Sequence, residues 1–597
     1  MESSRAGARQ SRVNAPRLEP SVREEFPATT MGEPTWFGAP ETPLFGWVHR
    51  PQTAAVRGGV IICGPLGKQY DTTYYTLRVL AERLAAKGFV AVRFDYQGTG
   101  DSDGASDGPG TVESWHASVA SASRLLASAG CPSVALIGLQ LGCLFAAEGA
   151  SRLNAAGTPP AALVLWDPPA SGSALLREQR ALGALTMGAK IGDDGSFESP
   201  SQAWTAPLID DLRRLGLPQS RVAENVFVLT PQDVTPTTGF VSRLDAMAPT
   251  WDTFTGHERL YEDAHVPYAA VERIVGWLDD RSFSSCLVST GELSRAAVIH
   301  SEDGQPITER ALMLGPHNLF GILSSSATAT GPTIVLVGGY IYPHTGPGRT
   351  WVRLARQLAA AGHPVLRLDL SGIGDSGLRP GQKAQQYYAP EGADDIAQVA
   401  AAVSPDDPRN VVLVGFCAGA YAAIEAGALL RPRAVVSINY VPEFTPPEVA
   451  VGEAVDPRRS AFVARPRWIV LLRERGLLRR VRALVPEWGW QLLDRLGVVP
   501  SPTTGFSVLL DAGIPTRALE CSEDAELFIT RAGRRLARMS RTGPFSFTVL
   551  DDVQHSILSL GEREVVMAAL TREIDIVLRG DPGRETVNIP RARRGRA

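Results

Sequence analysis

The sequence is short of lysine and has no long apolar run. Of its 59 basic residues, four are lysine: Lys68, Lys87, Lys190 and Lys383. No stretch approaches the roughly 20 apolar residues that a membrane-spanning helix requires. The N-terminal segment MESSRAGARQSRVNAPRLEP is polar and lacks the apolar centre of a secretion signal. We therefore expect no membrane span and a cytoplasmic location.

Cysteine is also scarce, and charge of one sign does not dominate. The six cysteines form no CxxC pair and no zinc-finger spacing, which favours reduced thiols and predicts no metal site. The net charge of -4 gives no electrostatic reason to expect a nucleic-acid partner. No metal, flavin or nucleotide cofactor is implied.

The chain is long enough for more than one domain. Its 597 residues exceed the roughly 250–300 at which one hydrophobic core stops growing. Its composition, 44% hydrophobic and 20% charged, is that of a folded globular protein.

An internal repeat indicates the architecture. The segment GVIICGPLG, a helical stretch and VAVRFDYQGTGDSDG in the first copy are matched by TIVLVGGYIYPHTGPG, a helix and PVLRLDLSGIGDSG in the second. Farther along, VALIGLQLG corresponds to VVLVGFCAG. Buried β-branched runs that alternate with amphipathic helices predict an α/β fold, with a mostly parallel, doubly wound sheet in each copy. The two GxGDS segments are interpreted as structural turns, because they lack the third glycine of a dinucleotide fingerprint.

The repeat and the composition of the ends give a division of the chain. The predicted parts, in order, are a disordered tail (1–25), a degenerate domain (26–285), a catalytic domain (286–580) with a helical cap at about 443–510, and an Arg-rich disordered tail (581–597).

The second copy carries a candidate nucleophile, Cys417, in the turn Gly-Phe-Cys-Ala-Gly between a strand and a helix. Such a turn holds its central residue in a strained, exposed conformation, and the glycines let strand and helix pass closely. The N-terminus of the following helix favours the reactive thiolate.

The remaining members of a triad should follow in the order acid, then histidine. Asp524, after a predicted strand, is the expected acid, with Glu523 as the competitor, and His555 after the last strand is the expected base. The backbone N–H groups of Ala418 and Tyr340 are the candidates for the oxyanion hole.

The cap contains tryptophans and a run of arginines. Trp468, Trp488 and Trp490 would line a roof over the nucleophile, suited to an acyl chain with a phosphate or carboxylate. The alternative is an amphipathic cap helix with a solvated Arg face.

The first copy lacks a nucleophile, because Gln140 stands at the equivalent turn and an amide cannot accept an acyl group in this role. Asp233 and His265 keep the acid and base positions, with His257 as the alternative to His265. Cys143 is expected in the core. A degenerate domain that binds a ligand or shapes the active domain is predicted.

These residues carry a family resemblance. Residues 40–280 and 305–578 resemble the α/β-hydrolase superfamily. The segment LARQLAAAGHPVLRLDLSGIGDSG and the turn GFCAGAYAA are similar to one of the two hydrolases associated with exosortase A systems, and GLQLGCLFAA with LVLWDPPASGSALL is similar to the other. The resemblance implies a fusion of both partners, and acyl chemistry near acyl-CoA ligases and carrier proteins in biosynthesis.

The expected function is Cys-dependent acyl transfer or thioester hydrolysis through an acyl-Cys417 intermediate, on a small acyl substrate carried by coenzyme A or an acyl carrier protein. Two alternatives stay open. One is a non-catalytic binding or scaffold module for an acyl carrier or biosynthetic partner, and the other is a simple carboxylesterase.

Overall fold

A computed structural model gives the coordinates of the protein. It describes residues 32–53, 55–232, 236–254, 266–287, 293–339, 342–386, 388–441, 488–489, 492, 501–542 and 544–580. We refer to residues 32–287 as the first half and to residues 293–580 as the second half.

The first half is built on an eight-stranded sheet of order β1-β2-β5-β4-β6-β7-β10-β11. All pairs from β5 to β11 are parallel, and β2 is antiparallel to both of its neighbours. Its elements are β1 (Glu33–Ala39), β2 (Thr42–His49), β3 (Ala55–Val56), β4 (Gly58–Cys63), α1 (Lys68–Ala86), β5 (Phe89–Phe94), α2 (Thr111–Ser128), β6 (Val134–Leu139), α3 (Gly142–Ala155), β7 (Ala162–Trp166), α4 (Gly172–Met187), β8 (Phe197–Ser199), β9 (Gln202–Trp204), α5 (Ala206–Arg213), β10 (Asn225–Pro231), α6 (Thr238–Asp245), β11 (Thr250–Phe254), α7 (Tyr268–Asp279) and β12 (Cys286–Leu287).

The second half repeats this order with one more antiparallel strand at the edge, as β13-β14-β15-β17-β16-β18-β19-β20-β21. Its elements are β13 (Ala296–His300), β14 (Pro306–Leu314), β15 (Leu319–Ser325), β16 (Thr333–Val337), a 3-10 turn (Pro347–Arg349), α8 (Thr350–Ala360), β17 (Val365–Leu368), α9 (Gly392–Val403), β18 (Val411–Phe416), α10 (Ala418–Leu430), β19 (Ala434–Ile438), α11 (Thr504–Asp511), β20 (Thr516–Cys521), α12 (Ser522–Thr542), β21 (Phe545–Leu550) and α13 (Leu560–Leu578).

The central strands are buried along their whole length. Every residue of β16 and of β18 is buried, as the continuous apolar runs TIVLV and VVLVG predict for strands covered on both faces. Apolar cores lie on both faces of each sheet. The predicted α/β fold with mostly parallel sheets is confirmed.

One short strand pairs with the half on the other side of the predicted domain boundary. Cys286–Leu287, placed by the sequence at the start of the second domain, pairs antiparallel with Ala55–Val56 of the first half. The strand therefore extends the first half.

The two GxGDS turns lie where the halves meet, and each turn pairs with the other half. Asp101, in the first turn, accepts hydrogen bonds from Arg367 and lies 2.6 Å from His344 Nε2. In return, Asp375, in the second turn, pairs with Arg93 and accepts a 2.5 Å hydrogen bond from the Tyr74 hydroxyl. Since Arg93 and Arg367 occupy β5 and β17, corresponding strands of the repeat, the contact is reciprocal.

The charges of this interface are buried. Asp101, His344 and Arg367 are 0% exposed, and Arg367 also donates to Glu309 at 2.9 Å. Burial lowers the pKa of His344, but Asp369 and Asp101 outweigh it and raise the pKa to about 10. His344 is therefore an imidazolium at neutral pH, between two carboxylates. Through these contacts the two turns join the halves.

Within the described residues, no helix is long and apolar enough to cross a membrane.

Candidate active site

Cys417 lies between β18 and α10 in a strained backbone conformation, with φ 53° and ψ -117°. The flanking glycines are required by close packing. A Cβ atom on Gly415 would lie 2.3 Å from the Gly419 carbonyl oxygen, and one on Gly419 would lie 2.3 Å from that of Gly338. The G-x-C-x-G pattern therefore has the steric basis that the sequence predicts. Among the five cysteines whose side chains are described, Cys417 alone is partly exposed.

The structure brings the three predicted triad residues together. His555 Nε2 lies 3.3 Å from Cys417 Sγ, and His555 Nδ1 lies 2.6 Å from Asp524 Oδ2. Asp524 is in the first turn of α12, directly after β20, rather than in the loop that the sequence suggested. The competitor Glu523 is its neighbour on the same turn, and the carboxylate at His555 belongs to Asp524.

The proton affinity of His555 follows from this geometry. Burial lowers its pKa, but the hydrogen bonds to Asp524 and Cys417 outweigh burial and raise the pKa to about 11. The imidazole ring is therefore protonated at neutral pH. A protonated imidazole beside a sulfur atom stabilises the thiolate form of cysteine.

Two residues hold the loop that carries His555. Glu562, in the first turn of α13, accepts hydrogen bonds from the backbone N–H groups of Gln554 and Ser559, each at 2.8 Å. Asn439, at the end of β19, donates to the His555 carbonyl oxygen at 2.9 Å and accepts from the Cys521 N–H at 2.9 Å. The sequence analysis missed Asn439, since a lone asparagine after a strand carries no motif.

The first half also supports this loop. Ser201 donates its backbone N–H to the Leu558 carbonyl oxygen at 2.9 Å, and Glu198 accepts from the Leu560 N–H at 2.9 Å. Lys68 donates to the Tyr342 hydroxyl at 2.5 Å, and that hydroxyl lies 3.4 Å from the Ser556 carbonyl oxygen. The loop that carries His555 is thus packed against the first half.

Tyr388 is a further side chain at the nucleophile. It lies between β17 and α9, and its hydroxyl donates to the Val441 carbonyl oxygen at 3.5 Å. Burial and the nearby Cys417 side chain raise the pKa of the Tyr388 phenol above its ordinary value. Its backbone is left-handed, with φ 46°, which is uncommon for a bulky residue and marks a position fixed by its surroundings. A cavity of about 30 Å³ beside Cys417 is lined by Gly338, Tyr388 and Ala418, among others. The sequence analysis missed Tyr388, because the segment that carries it has no periodic pattern.

A buried acid lies behind the triad. Glu520, in β20, is 0% exposed and accepts a 3.3 Å hydrogen bond from the Tyr440 N–H. Burial and the nearby Asp524 raise its pKa well above the ordinary value for glutamate. Burial therefore favours the neutral form of this carboxyl group.

Three groups in this region could ligate a metal ion. Among the described residues, Cys521, Asp524 and His555 each offer a ligand atom, and these atoms lie within 4.8 Å of one another. Asp524 Oδ2 already accepts hydrogen bonds from both partners, at 3.0 Å from Cys521 Sγ and 2.6 Å from His555 Nδ1. The hydrogen bonds account for this cluster without an ion.

Of the other predicted site residues, some are described by the structure and some lie outside the described part of the chain. Ala418 is the first residue of α10, where backbone N–H groups lack acceptors within the helix. Trp488 is 69% exposed. The predicted residues that lie outside the described part of the chain are Tyr340, Trp468, Trp490, Asp233 and His265, together with the alternative His257.

In the first half, Gln140 occupies the position of Cys417 and keeps its strained backbone, with φ 52°. Its Nε2 donates to Asp167 Oδ2 at 3.3 Å. Cys143 is fully buried, as expected for a core residue.

Comparison with known proteins agrees with this architecture. The model of the alpha/beta hydrolase family matches residues 334–569. The comparison with curated proteins finds no match.

Similar solved structures include hydrolases of several kinds. An esterase from Pyrobaculum calidifontis is 16% identical, with a TM-score of 0.30, over 42% of this chain and 84% of the esterase. An esterase from Pyrococcus furiosus is 14% identical, with a TM-score of 0.29, over 43% of this chain and 95% of the other. A variant epoxide hydrolase from Solanum tuberosum is 14% identical, with a TM-score of 0.29, over 45% of this chain and 99% of the other. The residues that the family model matches lie in the second half and include Cys417, Asp524 and His555.

Proposed function

We propose that the second half catalyses acyl transfer from a thioester through an acyl-Cys417 intermediate. The observation that carries the proposal is the Cys417–His555–Asp524 chain of contacts, with distances of 3.3 Å and 2.6 Å. A nucleophile, a base in reach of it and a carboxylate that orients the base are the parts that this chemistry requires.

The reaction follows in two steps. The Cys417 thiolate attacks the acyl carbonyl carbon, a new C–S bond forms, and the C–S bond to the donor breaks. The His555 imidazolium gives its proton to the departing thiolate. His555 then accepts a proton from the acceptor, which is water, an amine or an alcohol, as the acceptor attacks the acyl-Cys417 carbonyl. The acceptor–acyl bond forms, the C–S bond to Cys417 breaks, and the Cys417–His555 pair is restored.

The oxyanion formed in each step needs hydrogen-bond donors. The Ala418 N–H, at the N-terminus of α10, is one donor suited to this role. The sequence prediction of a second donor at Tyr340 remains a prediction. Tyr388 can stabilise the thiolate before attack by turning its hydroxyl from the Val441 carbonyl oxygen to the nearby Cys417 sulfur.

A cysteine favours transfer over simple ester hydrolysis, since a thioester intermediate reacts more readily with amines, thiols or activated hydroxyls than an oxygen ester does. The resemblance to hydrolases that work near acyl-CoA ligases and carrier proteins supports coenzyme A or a carrier protein as the acyl donor.

Intact-protein mass spectrometry tests the proposal. Wild-type protein is incubated with acyl-CoA thioesters, acyl-carrier thioesters and nitrophenyl esters of the same acyl groups. We expect a mass gain of one acyl group that maps to Cys417 and is lost faster with an amine or alcohol than with water. Turnover of nitrophenyl esters without any thioester-derived adduct would favour a carboxylesterase. No adduct and no turnover with any donor would favour a binding module.

Removing His555 should slow the reaction of Cys417 with an alkylating agent. Because a protonated His555 stabilises the thiolate, His555→Ala should reduce the alkylation rate at pH 6.5 about 10-fold or more, with a smaller difference at pH 9. The measurement is the rate of iodoacetamide labelling at Cys417 by peptide mass spectrometry. His317→Ala, outside the site, is the control and should label as the wild type does. Equal rates for His555→Ala and wild type at pH 6.5 would remove His555 from the proposed mechanism.

Removing the Tyr388 hydroxyl should slow acylation while the fold is kept. Tyr388→Phe removes the hydroxyl near the Cys417 side chain, and we expect acylation to fall about 10-fold, the effect of roughly 1.4 kcal/mol. Stopped-flow measurement of thiol release from the donor gives this rate. Tyr440→Phe is a matched control in the same half, since its ring packs on Phe506 in the core. A Tyr388→Phe rate equal to that of the control would show that the contact has no role in acylation.

A further inference from the structure

The loop that carries His555 contains a residue in an unfavourable backbone conformation. This loop connects β21 to α13, and Ile557, two residues after His555, has φ 50° and is 1% exposed. A β-branched residue is rarely found in this left-handed region, and such a conformation persists only where the surrounding structure imposes it. The contacts on either side of Ile557 therefore determine where the loop places His555.

Contacts from the first half lie on both sides of this strained residue. Before it, the Ser556 carbonyl oxygen lies 3.4 Å from the Tyr342 hydroxyl, which accepts a 2.5 Å hydrogen bond from Lys68 of the first half. After it, the Leu558 carbonyl oxygen accepts a 2.9 Å hydrogen bond from the Ser201 N–H. The first half thus holds the loop one residue before and one residue after the strained position.

The first half also binds the start of the helix that follows the loop. Glu198 Oε2 accepts a 2.9 Å hydrogen bond from the N–H of Leu560, the first residue of α13. The first N–H groups of a helix lack acceptors within it and carry a partial positive charge, so a carboxylate at this place is favourable. In return, Arg563, in the first turn of α13, donates to the Ser201 carbonyl oxygen at 3.4 Å. The loop and the helix are therefore joined to the same segment of the first half.

This segment is the hairpin formed by β8 and β9, and the first half holds it firmly. The Lys68 N–H donates to the Pro200 carbonyl oxygen at 2.9 Å, which ties the turn of the hairpin to the start of α1. Behind the turn, the Ser199 hydroxyl donates to Gln179 at 2.9 Å and accepts from the Trp204 indole at 2.8 Å. All three of these side chains are buried. A support fixed by packing and hydrogen bonds can hold a functional group in one position.

We propose that this hairpin is a positioning element of the candidate active site and holds the loop that places His555 Nε2 within reach of Cys417. Glu198 and Ser201 are its positioning residues. The half without a nucleophile thereby contributes to the chemistry of the other half. The inference rests on the proposed function only for the reaction that Cys417 performs, because the contacts act on His555 whichever reaction that is.

Charge reversal at Glu198 tests the proposal in the full chain. Glu198→Lys removes the acceptor of the Leu560 N–H and places a positive charge at the N-terminus of α13, so the hairpin should no longer hold the loop. We expect iodoacetamide labelling of Cys417 at pH 6.5 to fall at least about 5-fold, because a displacement of ~1 Å can reduce the effect of a catalytic group by more than that. The difference should be smaller at pH 9, where the thiol ionises without help.

The sign of the effect separates positioning from a simple field effect. A positive charge that acts on the thiolate through space stabilises it, and labelling would then become faster. An unchanged or faster rate for Glu198→Lys at pH 6.5 would overturn the proposal.

Three further variants separate positioning from general damage. Asp193→Lys makes the same change of charge at an exposed residue of the same segment and should label as the wild type does. Glu198→Gln keeps an acceptor oxygen and should restore most of the wild-type rate. In a protein that already carries His555→Ala, Glu198→Lys should have no further effect, since the hairpin acts through His555. An additional decrease in that background, or an equal decrease in Asp193→Lys, would overturn the proposal.

The labelling rate and the acyl adduct are independent measurements. Slower labelling of Glu198→Lys without any acyl adduct on the wild type would support the role of the hairpin and contradict acyl transfer. An acyl adduct on Cys417 together with unchanged labelling of Glu198→Lys would overturn the role of the hairpin and leave acyl transfer in place.

Discussion

Cys417→Ala should lose both the acyl adduct and turnover, with a decrease in kcat of about 10⁴-fold or more, as for other enzymes that lose a triad nucleophile. Without the sulfur atom, His555 and Asp524 have no group to activate, and covalent transfer cannot start. The measurement is steady-state thiol release from the acyl donor that gives the adduct in the wild type. The fold should be kept, because Cys417 is partly exposed and its replacement leaves Gly415 and Gly419 in place.

The control for this experiment is Cys131→Ala, which removes a buried thiol of the first half. We expect full turnover from it at a temperature where it stays folded. If Cys417→Ala kept turnover at the level of this control, Cys417 would not be the nucleophile, and the mechanism proposed above would be wrong.

Asp101→Ala should destabilise the protein by about 3–5 kcal/mol, the usual effect of removing one partner from a buried ion pair. The substitution leaves Arg367 without its Asp101 partner and His344 with Asp369 alone, in a place from which water is excluded. The measurement is urea unfolding followed by tryptophan fluorescence. Asp107→Ala, on the exposed surface near the same turn, should change the stability by less than about 0.5 kcal/mol.

The pH dependence of this effect follows from His344. Its pKa is raised from 6.5 to about 10 in the folded protein, so its contribution to stability is complete below pH 6.5 and is lost as the pH rises through about 10. The difference in the free energy of unfolding between wild type and Asp101→Ala should therefore decrease from pH 7 to pH 9.5. A destabilisation equal to that of Asp107→Ala at pH 7 would mean that the buried charges contribute nothing to holding the halves together.

The sequence predicts the triad residues and their order along the chain, but not the residues that surround them. The turn around Cys417 and the later Asp524 and His555 are found from local pattern and chain order, because each follows a strand of a parallel sheet whose carboxyl ends share one edge. Tyr388 and Asn439 could not be found this way. Their positions depend on where irregular segments cross that edge, which no periodicity in the chain records.

The interface between the halves shows the same limit. The repeat reveals both GxGDS turns, which the sequence analysis interprets as structural. That Asp101 pairs with Arg367, and Asp375 with Arg93, depends on how two folded halves dock. Pairings between residues more than 260 positions apart leave no local trace in the sequence.

Asp101 and Asp375 each pair with an arginine of the other half, as equivalent residues do across the interface of a two-subunit protein. Here, however, one peptide connects the two halves. A short covalent connection replaces encounter in solution by an effective concentration in the millimolar range. The halves therefore stay associated at any dilution. Each molecule also carries one half with Cys417 at its strand–helix turn and one half with Gln140 at the equivalent turn. The ratio of the two halves is therefore fixed at synthesis rather than by the relative expression of two genes.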